Sequence, residues 1–226
     1  MILDPGEAGP LPVTKIGGAP WWPESDSRPT CWQGHPLAFM AQIALGDVPQ
    51  LAPDSGLLSF HYCDECARSG YVSFGGGEDE HRGYDVHLFR DPKTVKADRL
   101  GVVASSSLPS RRVRLAAVDE IPGFEDIGEE LRARIPRGSS TARNDFDETV
   151  YPGLVHVRRC KVGGWPSWQQ SPAWPVCDKS GTMMFVAQLD WELGRDSSWA
   201  PGGYAYLFAC PETCRTRSAE LIIQTT

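Results

Sequence analysis

The chain has no long uncharged apolar run, no surplus of positive charge and none of the short signatures of common catalytic loops, and each absence removes a class of function. A membrane-spanning helix needs about 20 consecutive apolar residues, so none is expected. The opening "MILDPGEAGPLPV" has neither a basic start nor an apolar segment behind it, so no secretory signal is expected and a cytoplasmic location is the default. With 29 acidic against 22 basic residues the net charge is −7. That balance argues against nucleic acid, whose affinity comes largely from Lys and Arg neutralising phosphates, and suits a basic partner better.

No P-loop, Gly-x-Ser-x-Gly elbow, His-Glu-x-x-His pair or well-placed Gly-x-Gly-x-x-Gly occurs. A zinc deaminase needs His-x-Glu, and none of His35, His61, His81, His87 and His156 has Glu two positions on. A thioredoxin-like site places Cys-x-x-Cys at a helix N-terminus, where a thiol pKa falls. The stretch "CDECARSGYVSF" instead runs through Gly into a strand-like segment. Asp145 and Asp147 are a carboxylate pair in a loop, where solvated charges are the ordinary reading. No catalytic residue is assigned, and a metal-dependent enzyme or a zinc-stabilised structural protein stays as the alternative to a binding protein.

What is present is a repeat. At an offset of 146, residues 15–62 align with residues 161–208 without a gap, with 12 identities in 48 positions. Lys15, Gly17, Gly18, Pro20, Trp22, Ser25, Pro29, Cys31, Phe39, Ala41, Gln42 and Gly56 match Lys161, Gly163, Gly164, Pro166, Trp168, Ser171, Pro175, Cys177, Phe185, Ala187, Gln188 and Gly202. Rare types such as Trp and Cys are among the matches, which points to internal duplication.

Each copy opens with Gly-Gly-x-Pro-x-Trp, two permissive backbone positions followed by a fixed φ and a large aromatic. Gly17, Gly18, Pro20 and Trp22, with Gly163, Gly164, Pro166 and Trp168, are therefore read as structural clamps. An alternating run follows: Leu37, Phe39, Ala41 and Ile43 in one copy, Met183, Phe185, Ala187 and Leu189 in the other. That is the period of a half-buried strand, with Gln42 and Gln188 on the opposite face. A Pro- and Gly-rich loop then leads to "LLSFHYC" or "YAYLFAC", a second strand antiparallel to the first.

This pairing places the cysteines. Residues before the first strand of a hairpin lie beside those after the second. Cys31 is expected near Cys63 and Cys66, and Cys177 near Cys210 and Cys214. A short-spaced cysteine couple with a distant third thiol is a common zinc arrangement. Cys160 could supply a fourth ligand to the second trio, and His35 or His61 to the first. Zinc in one or both copies and reduced, buried cysteine without metal both stay open.

The connector 63–160 holds 15 of the 22 Lys and Arg and reads as a polar, solvated segment. "YVSF", "YDVHLFR", "LGVVA" and "RRVRLAAV" look like short strands, and "FEDIGEELRARI" spaces Ile127, Leu131 and Ile135 along a charged helix.

The Lys-Ile/Val-Gly-Gly-x-Pro-x-Trp clamps, the "PLAFMAQI" and "MMFVAQL" strands and the closing "GLLSFHYC" and "GYAYLFAC" resemble the bacterial YwqG-like family of unknown function. "YAYLFACPETC" followed by "AELIIQ" is also similar to the eukaryotic programmed cell death protein 2 and its relatives, grouped with the first family by this repeat. The resemblance implies a duplicated, mainly β architecture. From the eukaryotic relatives it implies a cytoplasmic, chaperone-like role in holding a basic ribosomal protein, and from bacterial ones an immunity or accessory role in toxin loci. Those eukaryotic relatives carry Cys-x-x-Cys-Gly before the first strand, where this chain has Ser180 before Gly181 and Gln33 before Gly34.

The expectation is a single α+β domain over 1–226, strand-dominated, with two β-rich halves related by a pseudo-two-fold. It acts as a binding module for a basic protein and not for nucleic acid or membrane. Trp21, Trp32, Trp165, Trp174 and Trp199 are the candidate contact residues, since Trp is favoured at hot spots. Zinc at Cys31, Cys63, Cys66, Cys177, Cys210 and Cys214 is the candidate cofactor.

Overall fold

The computed structural model describes residues 2–4, 13–23, 27–48, 56–68, 83–91, 96–97, 108–134, 160–194, 202–211 and 218–225. Strands dominate it, arranged in antiparallel sheets. The first large sheet draws on β1 (Ile2–Asp4), β2 (Lys15–Ile16), β4 (Ala38–Ala44), β5 (Leu57–Tyr62), β6 (Tyr84–Phe89) and β8 (Arg111–Arg114), in the order β1-β8-β2-β4-β5-β6. β3 (Trp21–Trp22) pairs separately with β7 (Lys96–Ala97). The second large sheet has the order β14-β13-β12-β9, from β9 (Lys161–Val162), β12 (Met184–Asp190), β13 (Tyr204–Ala209) and β14 (Ala219–Gln224). β10 (Val176–Cys177) and β11 (Gly181–Thr182) form a small hairpin ahead of it. The helices are α1 (Asp64–Arg68) and α2 (Glu129–Arg134), and no helix among the described residues is long and apolar enough to cross a membrane.

One apolar cluster joins the inner faces of both sheets. It takes Ala41, Ile43, Leu58 and Phe60 from the first and Val186, Ala187, Leu189, Ala205, Leu207, Leu221 and Ile223 from the second. Each large aliphatic or Phe side chain buried this way contributes about 1.5–3 kcal/mol, so each sheet draws much of its stabilisation from the other's face. β6 and β14 lie against each other, joined by the Tyr84 hydroxyl donating to the Leu221 carbonyl at 3.4 Å. Arg90, just past β6, donates to the Cys210 carbonyl at 2.6 Å.

The strand alternation departs from the expected pattern at one place in each sheet. β4 bulges between Phe39 and Ala41 against β5, and β12 bulges between Phe185 and Ala187 against β13. An extra residue reverses the alternation beyond it. Phe39 therefore shares the outer face with Gln42, and Phe185 joins an outer cluster with Tyr206 and Phe208 instead of the inner core. The strands are also buried on both faces: Phe39, Gln42 and Gln188 are fully enclosed.

Corresponding contacts recur. The Gly17 N–H donates to the Met40 carbonyl and the Gly163 N–H to that of Val186. The Gln42 Oε1 accepts from the Trp21 N–H, and the Gln188 Oε1 from the Ser167 N–H. Lys15 stands opposite Gln42, and Lys161 opposite Gln188. After the loop that follows the first strand the correspondence slips by one: the Leu45 N–H bonds to Gly56, whereas the Trp191 N–H bonds to Gly203 and not Gly202. The gapless alignment thus holds through the first strand only.

The clamp glycines all sit at positive φ, between 65° and 76°. A Cβ on Gly17 would lie 2.5 Å from the carbonyl oxygens of Leu108 and Pro109, and one on Gly164 would lie 2.3 Å from the Glu120 carboxylate. The segment 108–126 is a strap across both clamps. Its Leu108 carbonyl accepts from the Gly18 N–H, and its Glu120 carboxylate accepts from Lys161 Nζ and the Trp165 N–H. Asp126 accepts from the indole N–H groups of Trp168 and Trp174 at 3.0 and 2.7 Å. Burial pushes the Asp126 carboxyl above its ordinary range in spite of these donors. The connector is thus only partly the solvated segment its charge suggested: Glu120 and Asp126 are structural ligands of the second half. "YVSF", "LGVVA", Ile135, Asp145, Asp147, His81 and His156 lie outside the described residues.

Candidate metal centre

Four donors from two loops converge beside the β4–β5 hairpin. Cys31 and His35 come from the tight turn ahead of β4, and Cys63 and Cys66 from the end of β5 and the first turn of α1. The Cys31 turn is closed by the Gly34 N–H donating to the Cys31 carbonyl at 2.8 Å and the Cys31 N–H donating to that of His35 at 2.9 Å. Gly34 adopts φ 80°, which lets the chain reverse within three residues and brings His35 back over Cys31. Across from it, the Cys66 N–H donates to Cys63 Sγ at 3.4 Å, the geometry a Cys-x-x-Cys turn adopts when both sulfurs face one point.

The four ligand atoms lie within 4.8 Å of one another. Cys66 Sγ is 3.4 Å from Cys31 Sγ and 3.7 Å from His35 Nδ1, and Cys63 Sγ is 3.9 Å from that nitrogen. Ligands placed tetrahedrally about 2.3 Å from an ion stand about 3.7 Å apart, so the side chains already have nearly the spacing a zinc-sized cation requires. The other ring nitrogen, His35 Nε2, is 3.5 Å from a Glu65 carboxylate oxygen, an orientation that keeps Nδ1 as the donor to a metal. The three thiols are buried, while His35 is partly open to solvent.

Burial, and after it the neighbouring Cys63 and Cys31, push the Cys66 thiol up, and burial also raises Cys63. At Cys31 burial works upward too, but hydrogen bonds with Cys66 and with the Gln33 and His35 backbone prevail and bring its thiol below the ordinary value. A bound cation draws all three toward thiolate, because its charge outweighs such terms.

The other sequence-derived positions fall differently. His61 is not a fourth ligand: it sits inside β5, opposite Phe39, with Nε2 2.9 Å from the Ser59 hydroxyl and its ring against Trp22. Cys160 cannot complete the second trio. It lies at the far end of β12, where its sulfur accepts from the Asp190 N–H, whereas Cys177 lies beyond the opposite end. Burial pushes the Cys160 thiol up to about 12. Cys177 and Cys210 do meet, and Cys214 lies outside the described residues.

Of the tryptophans expected at the surface, Trp21 is buried, because β3 pairs with β7 and lays it over Leu57 and Phe89. Trp174 is half-buried among Trp165, Trp168 and Phe208. Trp32 and Trp165 are exposed, at 41% and 36%, and Trp199 lies outside the described residues. Trp22 packs on His61, His87 and Phe89, and Trp168 on Tyr206 and Phe208. Pro20 and Pro166 are buried beside them. Reading the sequence missed Glu65, whose signal is its place inside Cys63-x-x-Cys66. It also missed Glu120 and Asp126, which carry no local signal.

No curated protein matches the chain. Residues 14–148, which take in the four-donor cluster and the strap, match a family described as a domain of unknown function, DUF1963, and the chain belongs to that family.

Proposed function

We propose that the protein is a zinc-stapled binding module that holds a basic polypeptide, with the metal serving structure and not turnover. The observation that carries this reading is the four-donor set of Cys31, His35, Cys63 and Cys66 with Trp32 exposed in the turn between two of its members. Three thiols and an imidazole at tetrahedral spacing favour zinc, and four protein donors leave no open position for water or substrate. That argues for a staple over the metal-dependent enzyme. A staple here fixes the turn that presents Trp32, and a rigid aromatic is a good anchor for a partner. The acidic net charge of −7 supplies long-range attraction for a basic segment in a cytoplasmic setting.

The recurring clamps, Gln contacts and bulges support descent of the two halves from one duplicated unit, and with it the grouping with YwqG-like and programmed cell death protein 2 relatives. On this reading a chaperone-like or immunity role follows from that grouping. The test is elemental analysis of purified protein alongside affinity capture. About one zinc per chain is expected, lost in Cys66→Ser, with a stoichiometric basic partner that wild type retains and Trp32→Ala releases faster. Metal-free wild type, or saturable small-molecule turnover that depends on one titratable side chain, would overturn the reading.

A further inference from the structure

The second half carries a thiol pair that the metal reading does not use. Cys177 ends β10, its Cα paired with Gly181 across the small hairpin, and Cys210 follows β13 directly. Their sulfurs are 3.4 Å apart, and the Ser180 hydroxyl lies 3.1 Å from Cys210 Sγ. By strand register these two occupy the places that Cys31 and Cys63 hold in the first half, but the position of His35 is taken by Gly181. Among the described residues a metal would meet two sulfurs and a hydroxyl there, short of a four-donor set. The same placement brings two thiols into van der Waals contact, with no imidazole from the described histidines in the place that His35 holds in the first half.

We propose that Cys177 and Cys210 are an oxidisable dithiol that closes to a disulfide, with a peroxide as the oxidant. The pair can close whether or not zinc occupies the first cluster. In the first step a thiolate, Cys210 with the Ser180 hydroxyl donating to it, attacks one peroxide oxygen; the O–O bond breaks, hydroxide leaves and a sulfenic acid forms. In the second step the Cys177 sulfur, having lost its proton, displaces hydroxide from the sulfenic sulfur. Two thiols have then given up two electrons, the peroxide has become two waters, and the two sulfur-borne protons are carried in those waters. The sulfurs must approach from 3.4 Å to about 2.05 Å, a movement within reach of side-chain rotation in a two-residue-strand hairpin. Cys177 and Cys210 are buried, so peroxide would reach them on opening of the hairpin turn, where Asp178 and Lys179 are exposed. The link would fasten that turn to the end of β13, whose Cys210 carbonyl already accepts from Arg90 beside the first sheet.

The experiment treats the full-length chain, carrying whatever metal it purifies with, with hydrogen peroxide, alkylates the remaining thiols and maps tryptic peptides by fragmentation. Cleavage after Lys179 separates Cys177 from Cys210, so the link appears as a joined pair of peptides, two hydrogens lighter than their sum. The expected result is that pair in wild type and in Cys214→Ser, its loss in Cys177→Ser, and slower formation in Ser180→Ala. Alkylation of both Cys177 and Cys210 after oxidation, a link routed through Cys214 instead, or a second metal equivalent that Cys177→Ser removes would each overturn the proposal. Should Cys177→Ser fold poorly, the Cys214→Ser and Ser180→Ala arms still decide it.

Discussion

Replacing Gln42 by Ala tests whether the buried amides latch the clamps to the sheets. The Gln42 side chain is fully enclosed, its Oε1 accepting from the Trp21 N–H at 3.0 Å and its Nε2 donating to the Val13 carbonyl at 2.8 Å. Alanine orphans one backbone donor and one backbone acceptor, each costing about 1–3 kcal/mol when no water reaches it. The lost side-chain packing adds about 1 kcal/mol. The expected loss is about 3–7 kcal/mol, a large part of the roughly 5–15 kcal/mol that holds a domain folded. Gln42→Glu sharpens the test, because it keeps the acceptor for Trp21 but turns an oxygen toward the Val13 carbonyl. Protonated, that oxygen can donate; ionised, it cannot. Burial raises such a carboxyl above its unfolded value of about 4.3, so the folded variant holds its proton over a wider pH range than the unfolded chain. Its deficit against wild type is therefore smallest below about pH 4.3 and grows by about 1.4 kcal/mol per unit as pH rises toward the folded pKa. Urea unfolding at several pH values, with the slope of ΔG against denaturant compared among variants, reads both effects. A Gln42→Ala loss under about 1 kcal/mol, or a Gln42→Glu deficit that shrinks as pH rises, would refute the latch.

Other outcomes follow from the same structure. Removing metal with a chelator is expected to lower the unfolding midpoint of wild type but leave Cys66→Ser unmoved, because binding free energy at such a site is folding free energy; equal shifts would disprove a role for the cluster. His61→Phe made together with Ser59→Ala removes both members of the buried Ser59–His61 hydrogen bond and installs the residue type found at Phe208 in the equivalent register position; the pair is expected to stabilise by about 1–3 kcal/mol relative to His61→Phe alone, which orphans the Ser59 hydroxyl. No gain from the added Ser59→Ala would show that the hydroxyl finds another partner there. Gly17→Ala is expected to cost more than Gly34→Ala by at least about 2 kcal/mol: both sit at positive φ, but only Gly17 has backbone oxygens where the Cβ would go. Thermal or urea midpoints of the two variants settle this directly.

The hairpins were legible because alternation and Gly/Pro punctuation act over a few residues, and the cysteine convergence followed from hairpin geometry alone. The bulges were not, since Met40 and Val186 look like ordinary members of an alternating run and only the partner strand's length reveals the extra residue. The choice between His35 and His61 was open for a related reason. Both are near cysteines in sequence, and what decides is that His61 lies within β5 while His35 lies in the turn that Gly34 reverses. Trp21 is covered through pairing with Lys96–Ala97, and Glu120 reaches Lys161 across 41 positions. Such partners are set by the closed fold, and local pattern carries no trace of them.

The strap also bears on what keeps the molecule in one piece. Residues 114–119 are exposed and lie between the part that grips the first clamp and the part that grips the second. Cutting the polypeptide there would sever the covalent route between the halves while leaving Leu108 on Gly18, Glu120 on Lys161 and the shared core in place. The two fragments would then behave as a tight non-covalent heterodimer, each completing the apolar face of the other, so that continuity of the chain and integrity of the fold become separable properties of this protein.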